Sequence, residues 1–263
     1  MASKSSDRSG KVQPFIPFCK LVVALFTGCW PEGYQPRWKS KPWLHVVMTL
    51  LSLLGGSAIS CLIVASPMVY WPLLVFAWLL TVHGARKAQL VICHHAVHAN
   101  LTGNKLYDKA IFEGLSTFLL IQDYHGYVQD HIRLHHGPAL ATLEDPDVKV
   151  LLRLGFLAGK DREWLWRHLY WTLCSPRCHG LFLRARLKAN FMTAPAYRRV
   201  MAMVYVSMVF GTLLLIGGWL SWLFAWFIPI VFLYHVAAIL QFLSEHLWLY
   251  GKPNHKSNRE DQK

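Results

Sequence analysis

Histidine is the residue type in this sequence whose spacing points most directly to chemistry. Fourteen histidines are present, and the first group lies within residues 93–98, CHHAVH. His94 and His98 are four residues apart, so on an α-helix their Cβ atoms lie about 6 Å apart on one face. Both imidazoles could then bind one metal ion, although an isolated pair of this kind also suits a water-exposed helix end.

A second group lies within residues 130–136, DHIRLHH. His131 and His135 are expected to share one face of an α-helix, with His136 pointing about 100° away from them. This segment is therefore predicted to serve two metal ions at once. Chance rarely places such a pattern beside the first group.

A third feature is the Glu245-His246 pair at the end of the last apolar segment. Glu245 is the only acidic residue between 201 and 250, and ionisable side chains at membrane depth are costly enough to indicate function. His246 is predicted to be a metal ligand; the alternative is that the pair simply emerges into water. The residues that could be extra ligands or partners of the ligands are His95, His125, Glu245 and His255.

Six imidazoles brought to one level would form a metal site. The predicted ligands are His94, His98, His131, His135, His136 and His246. Neutral imidazole suits iron, zinc and copper, whereas the few carboxylates and the absence of a cysteine motif argue against magnesium, calcium and an iron–sulfur cluster. No catalytic side chain separate from the metal site is predicted.

The elements that must position these side chains follow from the distribution of charge. The chain has 27 Lys and Arg residues, with none at 43–85 and none at 201–251. Each stretch is long enough for two helices of about 20 residues that cross a membrane. Ser66-Pro67 and Gly217-Gly218 are the predicted reversals. The predicted helices span about 43–65, from 68 past 83, 205–216 and 219–249.

The predicted fold is therefore all-α and integral to the membrane. It has four transmembrane helices in two hairpins, interfacial helices and a cytosolic histidine-rich cap. Residues 1–42 would form a cytosolic or interfacial N-terminal segment, 43–250 the membrane domain and 251–263 a polar tail. A helix at about 106–124 is expected to bridge the two central histidine groups along the membrane surface.

Basic side chains also predict the orientation of the chain. Seven lie before Trp43, sixteen between Arg86 and Arg199 and four after Tyr250, and Lys and Arg resist translocation across a membrane. Both termini and the metal site are therefore expected on the cytoplasmic side of a multi-pass protein. Because this topology accounts for the net charge of +13, no nucleic-acid partner is predicted.

The order and spacing of the motifs resemble the membrane fatty-acid desaturase and hydroxylase superfamily over about residues 43–248. The segment at 94–148, HHAVHANLTGNKLYDKAIFEG…YVQDHIRLHHGPALATLEDPDV, is similar to that family's first histidine box, short basic turn, interfacial helix, second histidine box and Thr…Asp-Pro-Asp ending. The residues that match the two boxes are His94 and His98, then His131, His135 and His136. The pair at 245–246 resembles the Glu-His on the last helix of alkane 1-monooxygenases and some desaturases.

The resemblance implies a cytosolic di-iron centre bound by histidines, O2 as co-substrate and a membrane lipid or acyl substrate. It also implies electrons from a small redox protein of ferredoxin or cytochrome b5 type. The implied reaction introduces a double bond into a fatty acyl chain; acyl or alkane hydroxylation, or an incomplete member without activity, is the alternative. The basic side chains expected to meet the donor protein or anionic lipid are Arg162, Arg167, Arg177, Arg184, Arg186 and Arg198.

One element of the family pattern is missing from this sequence. A third histidine box, HxxHH or similar, is expected downstream of the last helix, whereas His255 is the only histidine after His246. One interpretation is that the chain is truncated, which the polar ending at 251–263 favours. The others are that His255, His125 and His95 supply the ligands, or that the site is partial.

Overall fold

Four long apolar helices dominate the structure, a computed structural model that describes residues 42–137 and 142–245. Numbered along the chain, the helices are α1 (Pro42–Val64), α2 (Met68–Val97), α3 (Lys105–Phe118), α4 (residues 124–135), α5 (Pro146–Arg153), α6 (Arg162–Cys174), α7 (Pro176–Phe191), α8 (Ala196–Ile216) and α9 (residues 219–245). α1, α2, α8 and α9 are long and apolar enough to cross a membrane. The predicted all-α membrane architecture is confirmed, and the described residues contain no strand.

Both hairpins of long helices turn where the sequence predicts. Pro67 precedes α2 with φ −53° and ψ 143°. Gly217 ends α8 with φ +66°, a left-handed conformation that glycine adopts without a Cβ clash. α8 begins at Ala196 rather than at 205 as predicted. This apolar helix can include the charged Arg198 in its first turn because the side chain is buried, with its Nε atom 3.3 Å from Glu113 Oε2.

Small residues let α1 and α2 approach each other closely, as is common for helices in membranes. A Cβ atom added at Gly84 would lie 2.7 Å from Leu53 Cα and 2.8 Å from Leu53 Cβ. One added at Gly56 would lie 2.6 Å from the backbone nitrogen of Thr81. The contact therefore joins backbone to backbone at two levels, and it fixes α2 before that helix reaches the first histidine group.

Three segments of the described chain have π-helical hydrogen bonding: Ala88–Cys93 in α2, Val128–His135 in α4 and Leu223–Leu233 in α9. In α9, Pro229 lacks a backbone N–H, which explains why the regular α-helical pattern fails there. The π segment of α2 directly precedes His94, and the π segment of α4 contains His131 and His135. Because π turns inside α-helices frequently mark functional sites, they direct attention to those histidines.

The shorter helices begin at well-formed caps. The side chain of Asn104 accepts hydrogen bonds at the start of α3, and Asp145, Asp161 and Ser175 do so for α5, α6 and α7. The helix predicted at 106–124 is found as α3 but ends at Phe118, because the chain turns at Leu120 with φ +50°. α5, α6 and α7 pack on the end of α9 through a core that includes Leu151, Phe156 and Ile239.

Two predicted regions fall outside the described residues. These are the N-terminal segment, of which only residue 42 is described, and the polar tail at 251–263. The predicted end of the fourth transmembrane helix near 249 also lies beyond the last described residue, Glu245.

The close contact between α1 and α2 predicts that Gly84→Ala destabilises the protein. The added methyl group would force the backbones of the two helices apart, at a cost of about 1–3 kcal/mol. Thermal unfolding of the detergent-solubilised chain measures the effect, with Gly55→Ala as the matched control because a Cβ there meets nothing within 4 Å. Equal melting temperatures for the two variants would contradict this close approach of α1 and α2.

Candidate metal centre

The first histidine group closes α2. His94 follows the π segment of this helix, and His98 is its C-terminal cap. Their ring centroids are 4.8 Å apart. His94 is half-buried and His98 is exposed, so the pair lies at the boundary between the protein interior and the surface. The buried residues Ile92, Cys93 and Ala96 pack behind it.

The second group meets through a π turn rather than an α turn. The backbone N–H of His136 donates to the carbonyl oxygen of His131 at 2.8 Å, a bond that spans five residues. As a result the two Nε2 atoms lie 3.0 Å apart. The expectation that His136 points about 100° away from His131 is therefore wrong, because it assumed α-helical geometry.

The two groups converge on each other. The ring of His94 lies 4.6 Å from that of His131 and 6.0 Å from that of His136, measured between centroids. One ligand atom from each of His94, His98, His131 and His136 lies within 4.8 Å of all the others. Histidines separated by more than thirty residues in the chain thus form one cluster.

Electrostatics favour neutral imidazoles in this cluster. Burial, and then the positive charge that neighbouring histidines would carry, together lower the pKa of His131 to about 3. The pKa of His98 is also lowered, first by burial and then by His136 and His95. A histidine whose pKa is lowered stays unprotonated at neutral pH, so its ring keeps a lone pair available for a cation.

The donor set fits a transition-metal ion. Neutral imidazole is a preferred ligand of iron, copper and zinc. Metal–nitrogen bonds of about 2.1 Å place neighbouring ligands at right angles about 3 Å apart, which matches the separation of the Nε2 atoms of His131 and His136. The cluster of His94, His98, His131 and His136 can therefore hold a metal ion.

His135 lies beside this cluster and contacts carboxylates. Its Nδ1 atom is 3.0 Å from Asp145 Oδ2 and 3.7 Å from Asp147 Oδ2. Asp145 is fully buried, and its Oδ1 also accepts a hydrogen bond from the backbone of Asp147 at the start of α5. A carboxylate bound to one ring nitrogen fixes the orientation of a histidine and leaves its other nitrogen for a metal. Nothing in the local sequence predicts this role for Asp145, although Asp145-Pro146 has the residue types of a helix start.

The remaining predicted site residues are not part of the four-histidine cluster. His95 Nδ1 forms a hydrogen bond with Asn100 Oδ1 at 2.9 Å. His125 Nε2 lies 3.1 Å from Lys109 Nζ. His246, His255 and the side chain of Glu245 lie outside the described part of the chain, so their predicted roles stay predictions.

Three donors hold the turn that leads into α4. Arg186, Asn190 and Arg198 donate to the carbonyl oxygens of residues 119–121, where α3 has ended. The Asn190 bonds measure 2.9 and 3.1 Å, and the Arg198 bond measures 3.1 Å. These three side chains form a carbonyl clamp. It fixes the start of the segment that carries His131.

The predicted exposed basic surface is only partly correct. Arg198 is fully buried, and burial lowers the pKa of Arg186, since both side chains belong to the carbonyl clamp. The other members of the predicted surface are exposed: Arg162, Arg167, Arg177 and Arg184. Arg186 lies within α7 and Arg198 within α8, both close to other basic residues, so no local signal in the sequence distinguishes them from surface cations.

Comparison with known proteins agrees with this geometry. The sequence model described as fatty acid desaturase matches residues 65–262. The chain belongs to the fatty acid desaturase family. No curated protein and no solved structure gives a match. Membership in this family supports a membrane-bound lipid oxidoreductase of the desaturase or hydroxylase type, and the matched region contains both histidine groups.

Removal of one cluster ring is predicted to abolish metal binding. In His131→Ala we expect the iron content of the purified chain to fall at least about tenfold, because His131 contacts His94, His98 and His136. Metal analysis by emission spectrometry measures the change. His125→Ala is the control, since His125 is exposed and outside the cluster. Unchanged iron in His131→Ala would remove this residue from the ligand set.

Asp145→Asn is predicted to weaken metal binding about 10–100-fold, because the neutral amide orients His135 less firmly than the carboxylate does. Asparagine still caps α5, so the fold is expected to persist. Competition with a chelator measures the affinity, and thermal unfolding checks the fold. Asp161→Asn is the matched control, since Asp161 caps α6 in the same way. Wild-type affinity in Asp145→Asn would show that Asp145 serves only as a cap.

Proposed function

We propose that this protein is an O2-dependent di-iron oxidoreductase that introduces a double bond into a fatty acyl chain in the membrane. The observation that carries the proposal is the convergence of His94, His98, His131 and His136 at the end of α2, in a chain that belongs to the fatty acid desaturase family. Imidazole clusters suit iron. An apolar substrate suits a protein with four helices of membrane-spanning length.

The proposal assigns the two iron ions to histidines from three parts of the chain. The assigned ligands are His94, His98, His131, His135, His136 and His246. Asp145 would hold His135 through Nδ1, and the carbonyl clamp would hold the helix that carries three of the ligands. His95 and His125 would lie outside the ligand set, since each has another partner.

The reaction needs an oxidant that side chains lack. Conversion of two methylene groups to a double bond removes two hydrogen atoms, a donor protein adds two electrons, two protons come from water, and O2 is reduced to two water molecules. Bound iron supplies this oxidation chemistry. The task of the protein is to keep neutral nitrogens in place, which the low pKa of His131 supports, and to keep the acyl chain beside the site.

An electron donor of ferredoxin or cytochrome b5 type would approach the side that carries the metal centre. Exposed Arg162, Arg167 and Arg177 would attract an acidic protein and accelerate its association. The excess of basic residues at 86–199 supports a cytoplasmic position for this side and for both termini. The exposed arginines and the excess of basic residues on this side suit an enzyme that receives electrons from a soluble or membrane-anchored partner.

Hydroxylation is the second candidate reaction. The Glu245-His246 pair favours it, because this pair resembles one in alkane 1-monooxygenases. In that reaction the substrate loses one hydrogen atom and gains a hydroxyl group, while the second oxygen atom of O2 leaves as water. The two candidates share the ligand set and the donor, so only the product distinguishes them.

We expect cells that express the chain and receive a perdeuterated saturated fatty acid to produce labelled lipids with one additional double bond. Each double bond removes two deuterium atoms, whereas hydroxylation removes one and adds oxygen, so mass spectrometry of the lipids separates the products. The His131→Ala variant is the inactive control. Iron-loaded wild-type protein that yields neither product in the presence of a reducing partner would refute an oxygenase function.

A further inference from the structure

α7 carries a shallow groove along its exposed face, lined by side chains of this helix and its C-terminal cap. The groove has a volume of about 540 Å³ and is lined by Gly180, Leu183, Arg184, Leu187, Lys188 and Met192. Gly180 leaves space at one end, since a Cβ atom there would meet nothing within 4 Å. Leu187 and Met192 are 46% and 72% exposed. The groove therefore combines apolar walls with two cationic side chains.

Arg184 and Lys188 are spaced to bind one anion. They are four residues apart on α7, so their side chains project from the same face, and both are exposed. Within residues 42–137 and 142–245, neither forms an ion pair with a carboxylate. Two adjacent cations without an anionic partner repel each other, and an anion between them would relieve this repulsion.

The surrounding helices indicate where that anion comes from. α6, which is joined to α7 at Ser175, exposes Trp166, Tyr170 and Trp171, and aromatic side chains of this kind are enriched at membrane–water interfaces. Residues 162–191 contain six Lys and Arg residues but one acidic residue, Glu163. A basic, aromatic helix pair of this composition suits contact with anionic lipid.

We propose that the α7 groove binds an anionic phospholipid, with the phosphate between Arg184 and Lys188 and an acyl chain against Leu183, Leu187 and Met192. The apolar walls favour a lipid over free phosphate, which would gain nothing from them. They also favour a lipid over an acidic protein, whose surface charges would meet apolar side chains. The groove uses residues of α7 other than those of the carbonyl clamp, and none of its residues belongs to the histidine cluster.

Native mass spectrometry of the full chain in detergent tests the proposal by titration with a short-chain phosphatidylglycerol. The double variant Arg184→Gln/Lys188→Gln is expected to bind it about 30-fold more weakly than wild type, from about 1 kcal/mol for each basic side chain. The matched control, Arg162→Gln/Arg167→Gln, removes the same charge from exposed positions on α6 and should change the affinity less than about threefold. Equal weakening in the two variants would overturn the proposal, because the lipid would then respond to general charge.

Three further measurements exclude other occupants. Phosphatidylcholine should bind at least about tenfold more weakly than phosphatidylglycerol. Inorganic phosphate should compete only weakly with phosphatidylglycerol for the groove. Competition as strong as that of a second phosphatidylglycerol molecule would overturn the proposal in favour of a phosphate site. A groove variant that loses reduction by the donor protein but keeps its lipid affinity would assign the groove to the donor instead. Iron content should be equal in wild type and both variants, so failure here is distinguishable from failure of the proposed enzyme function.

Discussion

The histidine cluster depends on the carbonyl oxygens at the end of α3, which need donors before α4 can turn back over α2. Unpaired carbonyl groups in apolar surroundings cost several kcal/mol each. Arg186, Asn190 and Arg198 supply the missing N–H groups. The C-terminal end of a helix carries partial negative charge, so it also stabilises the buried Arg198 and the half-buried Arg186, and Glu113 pairs with Arg198. Buried charge and turn geometry thus stabilise each other, and α4 is directed towards His94.

Local backbone geometry then decides which imidazoles meet. The rings of His131 and His135 stack with centroids 5.5 Å apart, and the π segment also brings the Nε2 atom of His136 to 3.0 Å from that of His131. The Nδ1 atom of His135 lies beside Asp145. The second histidine group therefore presents two chemically different environments, one made of imidazoles and one with carboxylates, within two adjacent residues. A change of hydrogen-bond spacing in one short helix is enough to produce this difference.

The sequence predicts the membrane architecture well because charge and its absence are local signals. Stretches without Lys or Arg located all four long helices, and histidine spacing located the cluster. The carbonyl clamp was missed because its partners are far apart in the chain: Arg198 binds the oxygen of Ile121 across 77 residues. Arg186 and Arg198 therefore looked like surface cations. The pairing of His135 with Asp145 was missed for a similar reason, since it depends on the path of the chain between α4 and α5.

The position of the carbonyl clamp in the chain also sets the order of events during biosynthesis. A ribosome completes both histidine groups at residue 136, when Arg186, Asn190 and Arg198 have not yet been made. Because chains fold from the N-terminus as they emerge, the nascent protein then holds four imidazoles without the donors that gather them. The histidine cluster can therefore gain its full set of carbonyl-clamp contacts only after the third long helix has begun.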